Sequence, residues 1–195
     1  MSKQTQLYLA SRSPRRQELL RQIGITFEVV SQDADESLQA EETASDYVCR
    51  LAAEKSDAAL QNEDLNRDLP ILAADTIVFA GGRILGKPEC RDHALAMLGM
   101  LSGNIHQVLT AVSMRLGEEV QTRLSISEVT FKPLSLLECE RYWETGEPAD
   151  KAGGYGIQGV AASWIKNIKG SYSGVMGLPL YETGELLRAF DIEII

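Results

Sequence analysis

The apolar positions along this chain change their period several times, and each change predicts an element. Leu7-Tyr8-Leu9-Ala10 is a short apolar run that reads as a strand. After a three-residue loop a helix follows, with Ser13 as N-cap and Pro14 at the first helical position, where a missing N–H costs nothing. Gly24 ends that helix, and residues 25–31 read as a second strand. Residues 32–42 are polar and acidic, with Asp33, Asp35, Glu36, Glu41 and Glu42, the composition of a solvated loop. Thr43 or Ser45 then caps a helix running to about residue 60. Its apolar stripe contains Val48, Leu51 and Ala52, and Lys55 shares that face, seven residues after Val48. A lysine so placed either snorkels to solvent or points into a cleft.

Residues 70–80 form an almost unbroken apolar run, the pattern of a buried strand, interrupted at its centre by Asp75 and Thr76. Gly81-Gly82 predicts a hairpin turn that returns the chain through residues 83–88 and brings Lys87 back toward the Asp75 end of the strand. A helix over 92–101 is closed by Ser102-Gly103, and strands over 106–116 and 120–132 are joined across Gly117-Glu118. Ser135-Leu136-Leu137-Glu138 is a capping box that opens a helix to about residue 145, ended by Gly146 and Pro148. Residues 150–159 are too rich in glycine for a helix or a regular strand, and permit close approach of backbone to a ligand. A strand over 160–168, a Gly/Ser turn and a helix over 180–190 complete the chain. Helices and strands interleave, without internal repeat or linker, so the expectation is one α/β domain over 1–195 with a mixed central sheet flanked by helices.

Composition narrows the function. The 195 residues carry a net charge of −9, which argues against a general nucleic-acid or anionic-membrane binder. Positive charge is instead concentrated locally, with Arg12, Arg15, Arg16 and Arg21 against a single Glu18. Arginines at a helix N-terminus oppose the macrodipole, and a bound anion would reverse that conflict; the alternative is a solvated basic helix start. Cys49, Cys90 and Cys139 are odd in number and widely spaced, which fits buried thiols in a reducing compartment. Two histidines, His93 and His106, exclude an imidazole-rich metal centre. No apolar run suggests a membrane span or a signal peptide, so the expected compartment is the cytoplasm.

Asp75 carries the sharpest question. An ionised carboxylate buried without a partner costs several kcal/mol, about the size of a domain's stability margin. Either it belongs to a structural ion pair, or it serves a metal or a reacting group. An unpaired carboxylate would favour an enzyme over a pure nucleotide binder. With the arginines, Lys55, Lys87, the acidic loop and a glycine-rich loop ending in Gln158, the parts suit metal-dependent phosphoryl hydrolysis. The glycine-rich loop is not a P-loop, since its lysine precedes the glycines.

Leu9-Ala10-Ser11-Arg12-Ser13-Pro14-Arg15-Arg16, Ala74-Asp75-Thr76-Ile77-Val78, Gly86-Lys87-Pro88 and the stretch from Asp150 to Gly159 resemble the Maf (septum-formation-inhibitor-like) nucleotide pyrophosphatases. Leu101-Ser102-Gly103 and Gly177-Leu178-Pro179-Leu180 are similar to family motifs too, so the resemblance spans nearly the whole chain. Tyr155-Gly156-Ile157-Gln158-Gly159 is similar to the subgroup acting on dTTP and UTP, whereas the 7-methyl-GTP subgroup has Ser-Glu near the position of Gln158. The resemblance implies a Maf/ITPase-like fold, two lobes around a substrate cleft, and a homodimer. It implies hydrolysis of a nucleoside triphosphate to the monophosphate and pyrophosphate with Mg²⁺ or Mn²⁺. Asp75 would activate water, and Glu36 and Asp75 would hold the metal, with Asp35 as the alternative to Glu36. Arg15, Thr76 and Gln158 would match the specificity positions, and Ser11, Arg16, Lys55 and Lys87 the phosphate contacts. A regulator of cell division with weak hydrolysis, or an ITP-type house-cleaning pyrophosphatase, are the competing expectations.

Overall fold

The computed structural model describes residues 4–194. Seven strands form one mixed sheet in the order β2-β1-β3-β5-β6-β7, with β4 paired to β3 outside this path. β1 (Leu7–Leu9) lies parallel to both β2 (Phe27–Val29) and β3 (Ile71–Ala80). β4 (Arg83–Leu85) returns antiparallel along β3, and β7 (Ile165–Lys169) runs antiparallel to β6 (Glu119–Phe131). β5 (Ile105–Leu116) leads into β6 through Gly117-Glu118.

The chain divides into two compact units. One holds the residues up to Asp75, Thr110–Ser125, and the stretch from Gly177 on. The other holds Thr76–Leu109 and Ile126–Met176. Strands β3, β5 and β6 each contribute residues to both.

In the first unit α1 (Pro14–Gln22) starts with Pro14 as expected, although the Ser13 side chain makes no capping bond. Gly24, at φ 78°, takes the left-handed conformation that ends the helix. α2 (Ala44–Leu60) is capped by Thr43, whose hydroxyl accepts from the Asp46 N–H at 3.2 Å. Its buried face carries Val48, Leu51, Ala52, Lys55, Ser56 and Ala59. α6 (Leu180–Ala189) buries Leu186 and Leu187. β2 is shorter than the expected 25–31, because β1 offers it only three partners.

In the second unit α3 (Arg91–Leu101) and α4 (Leu136–Glu144) pack around an aromatic core of Phe131, Tyr142, Tyr155 and Trp164. The capping box of Ser135 and Glu138 forms, with both reciprocal bonds present. Gly81 and Gly82, at φ 56° and 75°, make the tight β3–β4 hairpin with the two left-handed residues that suit strand twist. Three expectations are corrected here. Val160–Trp164 is a 3₁₀ turn, and the strand begins only at Ile165. The turn docks Trp164 against Tyr142, ring centroids 4.7 Å apart, which an extended Val-Ala-Ala-Ser-Trp run does not announce. The Gly/Ser turn contains a short helix, α5 (Tyr172–Met176), started by Ser171 accepting from the Gly174 N–H at 3.0 Å. Only Cys139 is a buried thiol; Cys49 is half-buried and Cys90 exposed. No helix among the described residues is long and apolar enough to cross a membrane.

Candidate functional site

In the first unit, three of the expected site residues, Glu36, Lys55 and Asp75, form a connected charged cluster. Lys55 leaves the buried face of α2 and does not snorkel. Its ammonium Nζ donates to Asp75 Oδ1 at 2.6 Å and pairs with Glu36 Oε1 at 2.6 Å. Asp75 is therefore paired, and its burial by itself does not distinguish an enzyme from a nucleotide binder. The triad grades from inside to outside: the Lys55 and Asp75 side chains are 7% and 11% exposed, that of Glu36 54%. Attraction in this low-dielectric setting offsets the desolvation that an isolated buried charge would suffer.

Glu36 reaches Lys55 because two α2 residues hold its loop. The Tyr47 hydroxyl donates to the Glu36 carbonyl at 2.7 Å. Burial, then the negative charge of Asp75 and Glu36, push the Tyr47 phenol above its ordinary pKa, so it stays a donor. Arg50 forks onto Glu42 at 2.6 and 2.8 Å and donates to the Ser37 carbonyl at 3.1 Å. The neighbouring Asp35 turns elsewhere: its Oδ1 accepts from the Ser37 N–H and hydroxyl at 2.9 and 2.6 Å.

At the start of α1, Arg16 is tied down. Its Nε donates to the Gly177 carbonyl at 2.7 Å and its Nη1 to Ser11 Oγ at 3.2 Å. Desolvation lowers its pKa, while the charge of Asp75 opposes the shift. Ser11 is buried and also accepts from the Ser13 N–H at 3.3 Å. Arg15 is half-buried on the same first turn.

The remaining expected residues belong to the second unit, on β3, on the return from β4, and on the glycine-rich segment. Thr76 is half-buried on β3. The antiparallel register pairs Val78 with Leu85, and Lys87 is exposed two residues beyond the end of β4. Gly153 donates its N–H to the Gly86 carbonyl at 2.9 Å, next to Lys87. Gly153 takes φ 67°, and a Cβ there would meet Val78 Cγ2 at 2.8 Å, so the segment lies against β3 only as glycine. Further along, Gly159 N–H closes a turn onto the Gly156 carbonyl at 3.2 Å, with Ile157 buried and Gln158 exposed at its tip.

Among the described residues no group of three or more His, Cys, Asp or Glu assembles as a metal site. Glu36 and Asp75 are the carboxylates that converge: both bond one ammonium, so their bonded oxygens are no further apart than twice 2.6 Å. Two carboxylates gathered around a cation suit Mg²⁺, which takes its other ligands from phosphate and water. Sequence does not single out Tyr47 and Arg50, whose spacing on α2 is ordinary; only their contacts with the Glu36 loop reveal what they hold.

A family model described as "Maf-like protein" matches residues 6–190. A protein of Cupriavidus metallidurans (strain CH34) named "dTTP/UTP pyrophosphatase" is 53% identical over 190 residues, covering 93% of this chain and 95% of its own length. Proteins of the same name from Hahella chejuensis and Salmonella typhimurium (strain LT2) are each 50% identical. Each alignment covers 96% of this chain and 94% of the relative.

Proposed function

This chain belongs to the Maf family, and we propose that it hydrolyses dTTP and UTP to the nucleoside monophosphate and pyrophosphate. The names of its half-identical relatives support the substrate, and the observation that carries the chemistry is the Lys55 ammonium bonded at 2.6 Å to both Asp75 and Glu36. Cations beside carboxylates are what breaking a phosphoanhydride with water requires.

In this reading Asp75 takes a proton from water as the water oxygen bonds to phosphorus. The bond between the α- and β-phosphoryl groups breaks, pyrophosphate leaves with its electron pair, and the proton passes to solvent. Lys55 turns part of its charge from the carboxylates to the phosphates, joined by Arg16, Ser11 and Lys87. The hydrogen bonds from Arg16 to the Gly177 carbonyl and to Ser11 hold its guanidinium in place before any phosphate arrives. Glu36 and Asp75 would hold a divalent cation, Mg²⁺ or Mn²⁺, which when bound neutralises phosphate charge. Arg15, Thr76 and Gln158 discriminate the nucleotide. The Gln158 amide offers one donor and one acceptor side, as the edge of a uracil or thymine ring requires. A cytoplasmic homodimer is the form we expect to carry this activity.

The test is pyrophosphate release from dTTP, UTP, CTP, GTP and ITP, with and without EDTA. We expect dTTP and UTP to react fastest, giving monophosphate and pyrophosphate, and EDTA to stop the reaction. Diphosphate with orthophosphate as main products would overturn the chemistry, and a preference for ITP would overturn the substrate.

A further inference from the structure

The turn that presents Gln158 is gripped at both ends by two residues of the second unit that the proposed reaction leaves without a role. The Tyr142 hydroxyl accepts from the Gly156 N–H at 3.0 Å and donates to Glu147 Oε1 at 2.7 Å. The other oxygen of that carboxylate, Oε2, accepts from the Val160 N–H at 3.2 Å. One hydroxyl and one carboxylate thus satisfy the backbone donors on either side of Ile157-Gln158-Gly159. Tyr142 is itself immobilised, 2% exposed and edge-on to Trp164. Burial and the neighbouring Glu147 push its phenol well above the ordinary range, which keeps the bridging proton in place.

The glycines flanking Gln158 fit this grip. A Cβ on Gly159 would fall 2.0 Å from Glu147 Oε1, and one on Gly156 would fall 2.7 Å from Lys151 Cε and 3.0 Å from Glu147 Oε1. Gly159 has φ −103°, open to any residue, so what glycine provides there is room for the carboxylate. Glu147 is anchored from behind as well, its carbonyl accepting from Lys151 Nζ at 2.6 Å.

We propose that Tyr142 and Glu147 are positioning residues for base discrimination, fixing the turn so that Gln158 meets the pyrimidine edge in one orientation. This rests on the reading of Gln158 as the residue that contacts the base. A side chain that must match donors and acceptors discriminates only as well as its backbone is fixed, since a tilted amide pairs nearly as well with a wrong edge.

The experiment compares kcat and KM for dTTP and CTP in wild type, Tyr142→Phe, Glu147→Gln and Gln158→Ala, with melting curves and amide hydrogen exchange on each. Tyr142→Phe keeps the ring against Trp164 and deletes both hydrogen bonds. It should lower the dTTP-to-CTP ratio of kcat/KM by about fivefold, the scale of one lost hydrogen bond, mostly through KM for dTTP. Its kcat should stay within about twofold of wild type, because no phosphate contact has changed. Glu147→Gln retains an acceptor for Val160 and should keep more of the discrimination than Tyr142→Phe. Exchange at Gly156 should accelerate in Tyr142→Phe. If Gln158→Ala changes the base ratio while Tyr142→Phe and Glu147→Gln leave ratio and exchange as in wild type, the positioning role is overturned. If Gln158→Ala leaves the ratio alone but Tyr142→Phe lowers it, the grip stands and another residue of the turn reads the base. If none of the three variants moves the ratio, both assignments fall.

Discussion

The charged cluster of the first unit and the Gln158 turn of the second are built from opposite kinds of polar group. In the first, Lys55, Asp75 and Glu36 are full charges joined by bonds of 2.6 Å, and the Arg16 guanidinium feels the charge of Asp75. In the second, the groups behind the Gln158 turn are a phenol, backbone amides and a single carboxylate, set among the rings of Tyr142, Tyr155, Phe131 and Trp164. Charges attract phosphate strongly but discriminate bases poorly, because Coulomb attraction is insensitive to orientation. Neutral donors and acceptors on a fixed backbone discriminate well and bind weakly. On the proposed reading, substitutions in the charged cluster around Lys55 should therefore change rate, and substitutions in the Gln158 turn should change preference.

The hardest test of that division is Asp75→Asn. It preserves shape, keeps Lys55 within reach of Glu36, and removes the proposed base. We expect turnover to fall by about 10²-fold or more, the scale for losing a general base, with base preference unchanged. Because Lys55 keeps one carboxylate partner, the melting temperature should move far less than the roughly 3–5 kcal/mol loss that stranding a buried charge would cause. An unstable variant that retains turnover per folded molecule would reduce Asp75 to a structural ion-pair partner.

The second test is acid. His106, 2% exposed, has its Nε2 2.8 Å from the Tyr155 hydroxyl and lies edge-on to Phe131. Burial pulls its pKa down to about 4. The unfolded chain therefore binds this proton first as pH falls below about 6.5, and the folded chain only near 4. Stability should fall through that window, by up to about 3 kcal/mol from this group, and level off below it. His106→Gln should flatten the slope between pH 6.5 and 4 in urea melts; an unchanged slope would place the acid sensitivity elsewhere.

How far these groups were legible in sequence depends on how local their causes are. The Gly81-Gly82 hairpin, the Ser135 capping box and the Thr43 cap are fixed by neighbours within four residues, and all three appear as expected. The spacing after Val48 also puts Lys55 on the buried face of α2, but leaves open whether it snorkels or points inward. Nor does it give the partner: Asp75 lies 20 residues on, and helical period says nothing about which strand a helix covers. Arg16 shows the same limit, since the Gly177 carbonyl that fixes it is 161 residues away. The 3₁₀ turn at Val160–Trp164 was misread because an apolar, β-branched start resembles a strand, and only the docking of Trp164 decides otherwise.

A smaller effect sharpens the comparison within the second unit. Gln158→Glu keeps size and removes the amide donor, so relative rates among dTTP, UTP, CTP and GTP should shift by about tenfold while the best substrate's kcat changes little. An unchanged order would show that Gln158 does not read the base.

The smallest expected effect lies on the exposed side of the charged cluster, at Arg50. Its guanidinium joins Glu42, Glu54 and the Ser37 carbonyl, and so ties the loop bearing Glu36 to α2. Hydrogen bonding to Glu42, the leading influence, raises its pKa above the usual arginine value, so it is cationic at any working pH. Arg50→Lys keeps the charge but loses the planar fork, and one ammonium cannot reproduce the paired bonds of 2.6 and 2.8 Å to Glu42. Tyr47 would still hold the Glu36 carbonyl at 2.7 Å, so the loop should loosen without leaving. If Glu36 contributes to a divalent cation, the concentration of Mg²⁺ giving half-maximal activity should rise by about threefold, with kcat at saturating metal nearly unchanged. Base preference should not move at all. A shift in preference with an unaltered metal requirement would mean that the loop serves the nucleotide and that the division of labour between the charged cluster and the Gln158 turn is wrong.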